Sequence, residues 1–216
     1  MQDMLFQAIS EGNLEKVKDF IEANPSSLTY LDSQGRSPLL ISLYYRQNAI
    51  TDYITSKNPP LSVHEAAALG NIPVLKNFYQ KDKNRINAYS SDGFTPLGLA
   101  CFFSRKSTVK WLLENGANPN IGSRNEMKVN PIHSAVAARS IGITKLLIEF
   151  GANVNVKQNG GWTPLHQAAS HGQIEIIELL ITSGADINLT SDDKRRAIDM
   201  AKEGGYKQVV KMLQSP

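Results

Sequence analysis

The chain has 216 residues, of which 41% are hydrophobic and 20% are charged, a composition typical of a folded protein and unlike that of a disordered chain. Its net charge of +3 is small and its Lys and Arg residues are dispersed, which argues against binding to nucleic acid or to an anionic membrane surface. The single cysteine, Cys101, excludes an internal disulfide bond and fits a reducing compartment.

The sequence also indicates where the protein resides. It contains no apolar run that approaches the roughly 18 residues of a membrane-spanning helix. Residues 1–6 do not combine a basic stretch with a following apolar one, so no secretory signal is predicted. We therefore expect a cytoplasmic protein.

A pair of short helices is predicted at the start of the chain. Asp3 is assigned to the capping position of the first helix, and Gly12 supplies the residue that ends it. The second helix carries Leu14, Val17 and Ile21 at helical spacing on one face. We expect this pair to be a terminal unit with a neighbour on one side only.

The second pair, which opens with Ser37 and Pro38, departs from a regular pattern in two ways. Arg46 stands where a helix-ending glycine is expected, which allows the first helix to run on. The step from Ser37 to the next opening position, Leu61, is only 24 residues, and the segment 57–60 replaces a longer connection. We expect a shortened link and a notch here, because the pattern resumes at once and a domain boundary is therefore disfavoured.

Five further pairs follow with steps of 33 to 35 residues between their opening positions. Ser104 replaces the helix-ending glycine in the fourth pair, and the link 121–129 before the fifth pair is long enough to form a mobile loop tip. The seventh pair has polar outward positions and is expected to cap the array. The opening positions of these five pairs are Leu61, Thr95, Asn130, Thr163 and Arg196.

Two short motifs recur with this period. A Thr-Pro-Leu or related triplet opens the first helix at residues 37–39, 95–97 and 163–166, the last continuing into His. Gly-Ala-Asn or Gly-Ala-Asp follows the second helix at residues 116–118, 151–153 and 184–186. A period of about 33 residues with Thr-Pro-Leu-His at a helix start is the pattern of ankyrin repeats. The chain thus resembles the ankyrin-repeat family over essentially its whole length.

This resemblance implies an all-α solenoid of about seven helix-turn-helix units within one domain, residues 1–216. Neighbouring units would be joined by short extended fingers, with one shortened link between the second and third units. Each unit is too small to bury its apolar face alone, so the units are expected to stack on one another.

Three of the four histidines, His64, His133 and His166, lie three residues after an opening position. A side chain there can bond back to the cap, as in a capping box, but Leu61 offers His64 no polar partner. Stacked helices lie about 8–10 Å apart, which is too far for these rings to share a metal ion. We therefore predict structural histidines, a buried and inert Cys101, and neither a metal nor a cofactor. The sequence also lacks catalytic motifs, so no catalytic residue and no enzymatic activity are predicted.

The resemblance also implies where a partner binds, since ankyrin proteins usually contact partners through the finger tips and the outer face of the first helices. In each unit these positions are the residue before the cap and the seventh and eighth residues after it. They hold six of the sixteen aromatic residues, which are seven Tyr, seven Phe and two Trp. The predicted partner-binding residues are Arg36, Tyr44, Tyr45, Leu69, Phe94, Phe102, Phe103, Trp162 and His171.

We therefore predict a monomeric, non-catalytic module that binds another protein on its concave face through this aromatic and apolar strip. Several alternatives stay open at this point. One ring of each adjacent pair could pack between repeats, the strip could mediate self-association, or a small molecule could bind near Trp162 and His171. The family also includes bacterial proteins that are delivered into host cells.

Overall fold

The computed structural model describes residues 2–214, which form fourteen α-helices in seven consecutive pairs. The prediction of an all-α ankyrin-type solenoid is therefore confirmed. The described residues contain no β-strand, and no helix among them is long and apolar enough to cross a membrane. The first helices of the pairs are α1 (Gln2–Ser10), α3 (Pro38–Tyr44), α5 (Val63–Leu69), α7 (Pro96–Phe102), α9 (Pro131–Ala137), α11 (Pro164–Ser170) and α13 (Ala197–Glu203). The second helices are α2 (Leu14–Ala23), α4 (Asn48–Ser56), α6 (Ile72–Lys81), α8 (Lys106–Glu114), α10 (Ile141–Glu149), α12 (Ile174–Thr182) and α14 (Lys207–Gln214).

Most of the predicted caps begin the first helices. The hydroxyls of Ser37 and Thr95 each accept a backbone N–H of the first turn at 3.1 Å. Proline follows each of them at a position where the missing N–H costs nothing. His166 bonds back to Thr163, and His133 accepts the N–H of Asn130, as the capping-box interpretation predicted.

Two of the predicted caps are wrong. Helix α1 already begins at Gln2, so Asp3 lies within its first turn. Helix α5 is capped by Ser62 and not by Leu61, because the Ser62 hydroxyl accepts the Glu65 N–H at 3.1 Å. The Glu65 carboxylate in turn accepts the Ser62 N–H at 2.7 Å, which closes a capping box that Leu61 could not form.

The first helices end at the same place whether or not glycine is present. Gly172 adopts the left-handed conformation that was predicted for it, with φ of 63°. Arg46 and Ser104 adopt the same conformation, with φ of 55° and 58°, and Arg139 does so at 54°. The expectation that α3 and α7 could run on is therefore wrong. Stacking of the helix pairs imposes this turn although a non-glycine residue there costs about 1–2 kcal/mol.

Extended fingers connect the pairs, and each is closed by a backbone hydrogen bond. The finger before α9, for example, is closed where the Ser123 N–H donates to the Val129 carbonyl at 2.8 Å. Consecutive fingers are joined where Arg124 N–H donates to the Gly93 carbonyl, and Asn159 N–H to the Met127 carbonyl. The fingers cover residues 30–37, 88–95, 115–130, 150–163 and 183–196.

The link between the second and third pairs is short, as predicted, because only six residues separate Ser56 at the end of α4 from Val63 at the start of α5. No finger forms there, so the fingers 30–37 and 88–95 become direct neighbours. An added Cβ at Gly35 would lie 2.3 Å from the Cβ of Ser91. The expected notch is therefore reduced to a cavity of about 300 Å³ between these two fingers.

The hydrophobic core divides at this short link. One cluster fills α1 to α4 and includes the fully buried Ile9 and Ile54. A second cluster extends from α5 to α14 and includes Leu112 and Cys101, whose burial raises the pKa of the thiol. Leu40, Leu43, Ala68 and Leu99 form a small third cluster between the first helices of the second, third and fourth pairs.

Candidate protein-binding surface

The end of the first helices carries two pairs of adjacent rings, and in each pair one ring is exposed and the other is packed. Tyr45 is 53% exposed and Phe102 is 44% exposed. Tyr44 and Phe103 are only partly exposed and pack on the small third cluster. Adjacent helical residues point about 100° apart, so both rings of a pair cannot face the same way. The alternative that one ring of each pair packs between repeats therefore describes Tyr44 and Phe103.

Tyr44 reaches over the third pair to the fourth. Its ring centroid lies 5.4 Å from that of Phe103 and 5.9 Å from that of Phe102, while the two Phe rings lie 5.1 Å apart edge to face. The third pair leaves room because it has the buried Ala68 at the equivalent position. We name Tyr44, Phe102 and Phe103 the aromatic bridge.

A hydrogen bond fixes the polar end of the bridge. The Tyr44 hydroxyl donates to Asp92 Oδ2 at 2.9 Å, in the finger of the fourth pair. Burial and the Asp92 carboxylate raise the pKa of Tyr44, so the hydroxyl remains a donor at neutral pH. This contact is possible because no finger of the third pair lies between the two groups.

Leu69 and Phe94 have more supporting contacts than the sequence suggested. Both are partly buried and pack against the third cluster, beside Leu40 and Leu99. Leu69 also contacts the core of the first two pairs. These two side chains therefore contribute to packing between repeats and present only part of their surface to solvent.

A groove of about 900 Å³ runs along the fingers beside the aromatic bridge. Arg36 lies at its edge, where its Nε donates to Asp32 Oδ2 at 2.8 Å. Arg124 also lines the groove and its guanidinium lies 4.0 Å from the centre of the Tyr89 ring. Met127 is 55% exposed at the same groove. The sequence reasoning missed Arg124 and Met127, although the long link 121–129 was the signal that could have found them.

Trp162 and His171 are not brought together. Trp162 precedes α11 and packs on His166, with 6.4 Å between ring centroids. His171 follows α11 and its Nδ1 lies 2.9 Å from both the Ser170 hydroxyl and the Gln167 carbonyl. The seven residues of α11 separate them by about 10 Å along the helix axis. The structure thus offers no shared site for a small molecule at this pair.

The other three histidines connect repeats. Nε2 of His64, His133 and His166 lies 3.0, 3.2 and 3.0 Å from the carbonyl oxygens of Ala88, Trp162 and Arg195, each in the following finger. Burial lowers the pKa of all three, and that of His133 to about 4. A neutral ring with the proton on Nε2 satisfies these bonds. Within residues 2–214 no group of His, Cys, Asp and Glu side chains is arranged to hold a metal ion.

Comparisons with known proteins agree with this architecture. A family model described as ankyrin repeats (3 copies) matches residues 53–123, 118–191 and 137–215. The "Probable 26S proteasome regulatory subunit p28" of Saccharomyces cerevisiae is 30% identical over 173 residues, which cover 74% of this chain and 75% of that protein. The target of rapamycin complex 2 subunit AVO2 of the same yeast is 29% identical over 73% of this chain, but that match covers only 40% of the yeast protein.

A third relative matches a shorter stretch. The human DNA-binding protein RFXANK is 44% identical over 61 residues, which are 28% of this chain and 24% of that protein. Ankyrin repeats generally mediate protein–protein interactions and are generally non-catalytic. The helix pairs, their period and these matches together show that the chain belongs to the ankyrin-repeat family.

Proposed function

We propose that the chain is a non-catalytic module that binds a partner protein on its concave face, with Tyr45 and Phe102 as the anchoring side chains. The observation that carries this proposal is the exposure of these two rings, 53% and 44%, at the ends of the first helices of the second and fourth pairs. Aromatic side chains are frequent anchors of protein interfaces, and exposed apolar surface commonly marks such sites.

The packed rings support Phe102. Phe102 rests on Tyr44 and Phe103, and Tyr44 is held by Asp92. An anchor that is already ordered in the free protein loses little conformational entropy on binding, which favours affinity. The groove along the fingers offers further surface to the same partner.

The relatives support a role within a larger assembly. Two of them are named as subunits of complexes, the 26S proteasome and target of rapamycin complex 2. We extend from them only the general role, a repeat module that contacts other subunits. The proposal includes a monomeric state and a cytoplasmic location, the latter on the ground of the single cysteine.

Affinity capture from the native cell with matched variants tests the proposal. A Tyr45→Ala/Phe102→Ala double variant is compared with wild type and with Phe150→Ala. Phe150 is a suitable control because it is 41% exposed but follows the second helix α10. We expect partners captured by wild type and by Phe150→Ala to be absent from the double variant, as measured by quantitative mass spectrometry on proteins of equal thermal stability. Equal capture by all three proteins would refute the proposal.

Self-association through the same rings is distinguished by light scattering over a range of protein concentrations. The proposal expects a monomer whose apparent mass does not change with concentration. A dimer that forms in wild type and disappears in the double variant would assign the rings to contacts between copies of the chain.

A further inference from the structure

The charge of the concave face comes from its fingers and turns. The first helices α3, α5, α7 and α9 contain one charged residue, Glu65, and it is buried. The fingers 30–37, 88–95 and 115–130 and the turns after these four helices therefore supply the remaining charge. Their basic residues are Arg36, Arg46, Arg105, Arg124, Lys128 and Arg139, and their acidic residues are Asp32, Asp92 and Glu126.

Most of the acidic side chains on this face are already engaged. Asp32 is paired with Arg36, and the Asp92 carboxylate accepts hydrogen bonds from the hydroxyls of Tyr44 and Ser90. Glu126 is exposed and makes no ion pair within residues 2–214.

The other basic side chains have no acidic partner. Among residues 2–214, no ion pair involves Arg46, Arg105, Arg124, Lys128 or Arg139. Two carboxylates, Asp92 and Glu126, also make no ion pair in this part of the chain. The fingers and turns together hold six basic and three acidic side chains, a net charge of +3 that equals the net charge of the whole chain. A surface of this kind is complementary to negative charge.

Contacts with the protein fix two of the guanidinium groups in place. Arg105 Nε donates to the Ala68 carbonyl at 2.8 Å, so the side chain lies across the end of α5 and next to Leu69. Arg124 is held over the Tyr89 ring in the finger groove. A guanidinium has five N–H donors, and the Arg105 contact uses one of them. The remaining donors are suited to bidentate binding of carboxylates.

Three more of these basic residues, Arg46, Lys128 and Arg139, have a left-handed backbone. Arg46 and Arg139 adopt left-handed conformations with φ of 55° and 54°, whereas Gly12 and Gly172 stand at the equivalent positions of the first and sixth pairs. Arg46 directly follows the exposed Tyr45, so the strained residue adjoins the proposed anchor.

From these observations we infer that the concave face binds an acidic segment of its partner protein. Carboxylates of the segment bind Arg105 and Arg124, and a large apolar side chain of the same segment packs on Tyr45 and Phe102. This inference rests on the proposed function and names the chemistry of the partner. A protein is favoured over nucleic acid because the cations lie among exposed apolar side chains, which suits a segment that carries both carboxylates and an apolar side chain.

Selection from a random peptide library displayed on phage, with the full chain as bait, tests the inference. We expect the selected peptides to be enriched in Asp and Glu together with aromatic or large aliphatic residues. Replacing the acids of a selected peptide by Asn and Gln is expected to weaken binding about tenfold in fluorescence anisotropy, because the arginines would then face uncharged groups. The affinity should also fall as salt is added.

Protein variants locate the contact. Arg105→Gln and Arg124→Gln should each weaken binding of the acidic peptide. Arg85→Gln is the control and should not weaken it, because Arg85 is exposed but lies beyond α6. Within residues 2–214 the Arg124 side chain makes no hydrogen bond, and Arg124→Gln removes only its contact with the partly exposed Tyr89 ring. Its effect therefore reports binding even if Arg105→Gln lowers the thermal stability.

The results separate this inference from the proposed function. If the selected peptides are neutral or basic and still require Tyr45 and Phe102, the inference that the partner segment is acidic is wrong. The proposed protein-binding role would then remain intact. A selection that yields no peptide dependent on the two rings would overturn the inference, and the capture experiment would then decide the role. Tighter binding of single-stranded or duplex DNA than of the acidic peptide would also overturn it.

Discussion

The junction between the second and third helix pairs differs from the junction between the fifth and sixth. At the regular junction a finger connects the pairs, and His133 bonds to the backbone of Trp162. Asn120 Oδ1 accepts the Asn153 N–H at 2.8 Å, a contact that recurs between Asn155 and Asp186. Buried apolar side chains continue through this junction without interruption.

At the short junction the finger is absent and the core is divided. The small third cluster of apolar side chains crosses this junction. Polar and aromatic contacts are added to it: Ser37 donates to Glu65, and Tyr44 reaches Asp92 and Phe103. Where the finger is missing, the Tyr44 side chain reaches across the third pair and makes contacts with the fourth. Tyr45 and Phe102 are exposed on either side of the third pair, whose finger is missing. The candidate binding surface therefore lies where the chain departs from the regular repeat.

The largest expected effect concerns the histidines of the regular junctions and is a dependence of stability on pH. Burial lowers the pKa of His133 from 6.5 to about 4 in the folded chain. The unfolded chain therefore takes up the proton first as the pH falls, and the resulting stability, fully present above pH 6.5, is lost between 6.5 and about 4. This shift corresponds to roughly 3 kcal/mol for His133.

Urea unfolding at a series of pH values measures this effect. The free energy of unfolding should fall as the pH is lowered through this range, and the fall should be smaller in His133→Gln. His64 and His166 have lowered pKa values as well and add to the wild-type dependence with the same sign. An identical pH dependence in wild type and His133→Gln would contradict this assignment.

A smaller effect is expected from loss of the two hydrogen bonds that the Glu65 carboxylate accepts at the short junction. Glu65→Ala removes the acceptor of both the Ser62 N–H and the Ser37 hydroxyl in a buried place. We expect the free energy of unfolding to fall by about 2 kcal/mol, from loss of a cap and of a buried hydrogen bond. Chemical denaturation of Glu65→Ala and Glu65→Gln provides the comparison, because Gln keeps one acceptor oxygen. A loss below about 0.5 kcal/mol in Glu65→Ala, the level of a neutral surface change, would show that the contact does not stabilise the junction.

The smallest effect is expected from Ser104→Gly, which gives the fourth pair the glycine that the sixth pair has at this turn. Ser104→Gly relieves left-handed strain of about 1–2 kcal/mol and loses part of the gain to the greater entropy of the unfolded chain. We expect a net stabilisation of about 0.5 kcal/mol, seen as a higher melting temperature in calorimetry. Ser104→Ala keeps the strain and should give no gain. Equal melting temperatures for both variants would mean that the turn is not strained.

Much of the fold could be predicted because it follows local rules. Thr163 and Ser37 initiate helices through their own hydroxyls, and a period of about 33 residues identifies the stacking. The period placed the opening position at Leu61, so the Ser62 cap was not predicted. Ser62 and Glu65 nevertheless have the residue types and spacing of a capping box. The left-handed Arg46 was not predictable from its residue type, because stacking of the pairs overrides local preference there.

The candidate site was predictable by position but not by role. Tyr44 and Tyr45 are adjacent and chemically identical, so the sequence does not distinguish the packed ring from the exposed one. The difference arises from contacts distant in sequence, namely Asp92 and Phe103, and from the small size of Ala68 between them. These contacts exist only once the finger of the third pair is absent.

Replacement of Tyr45 by alanine tests the central claim most directly, with capture of the partner and the free energy of unfolding measured on the same protein. Tyr45 is 53% exposed, so Tyr45→Ala should lose partner capture while its free energy of unfolding stays within about 0.5 kcal/mol of wild type. Tyr44→Ala, by contrast, should lower the free energy of unfolding by about 2 kcal/mol or more, because the bridge to the fourth pair is removed. Undiminished capture by a folded Tyr45→Ala protein would contradict the assignment of the exposed ring to partner binding.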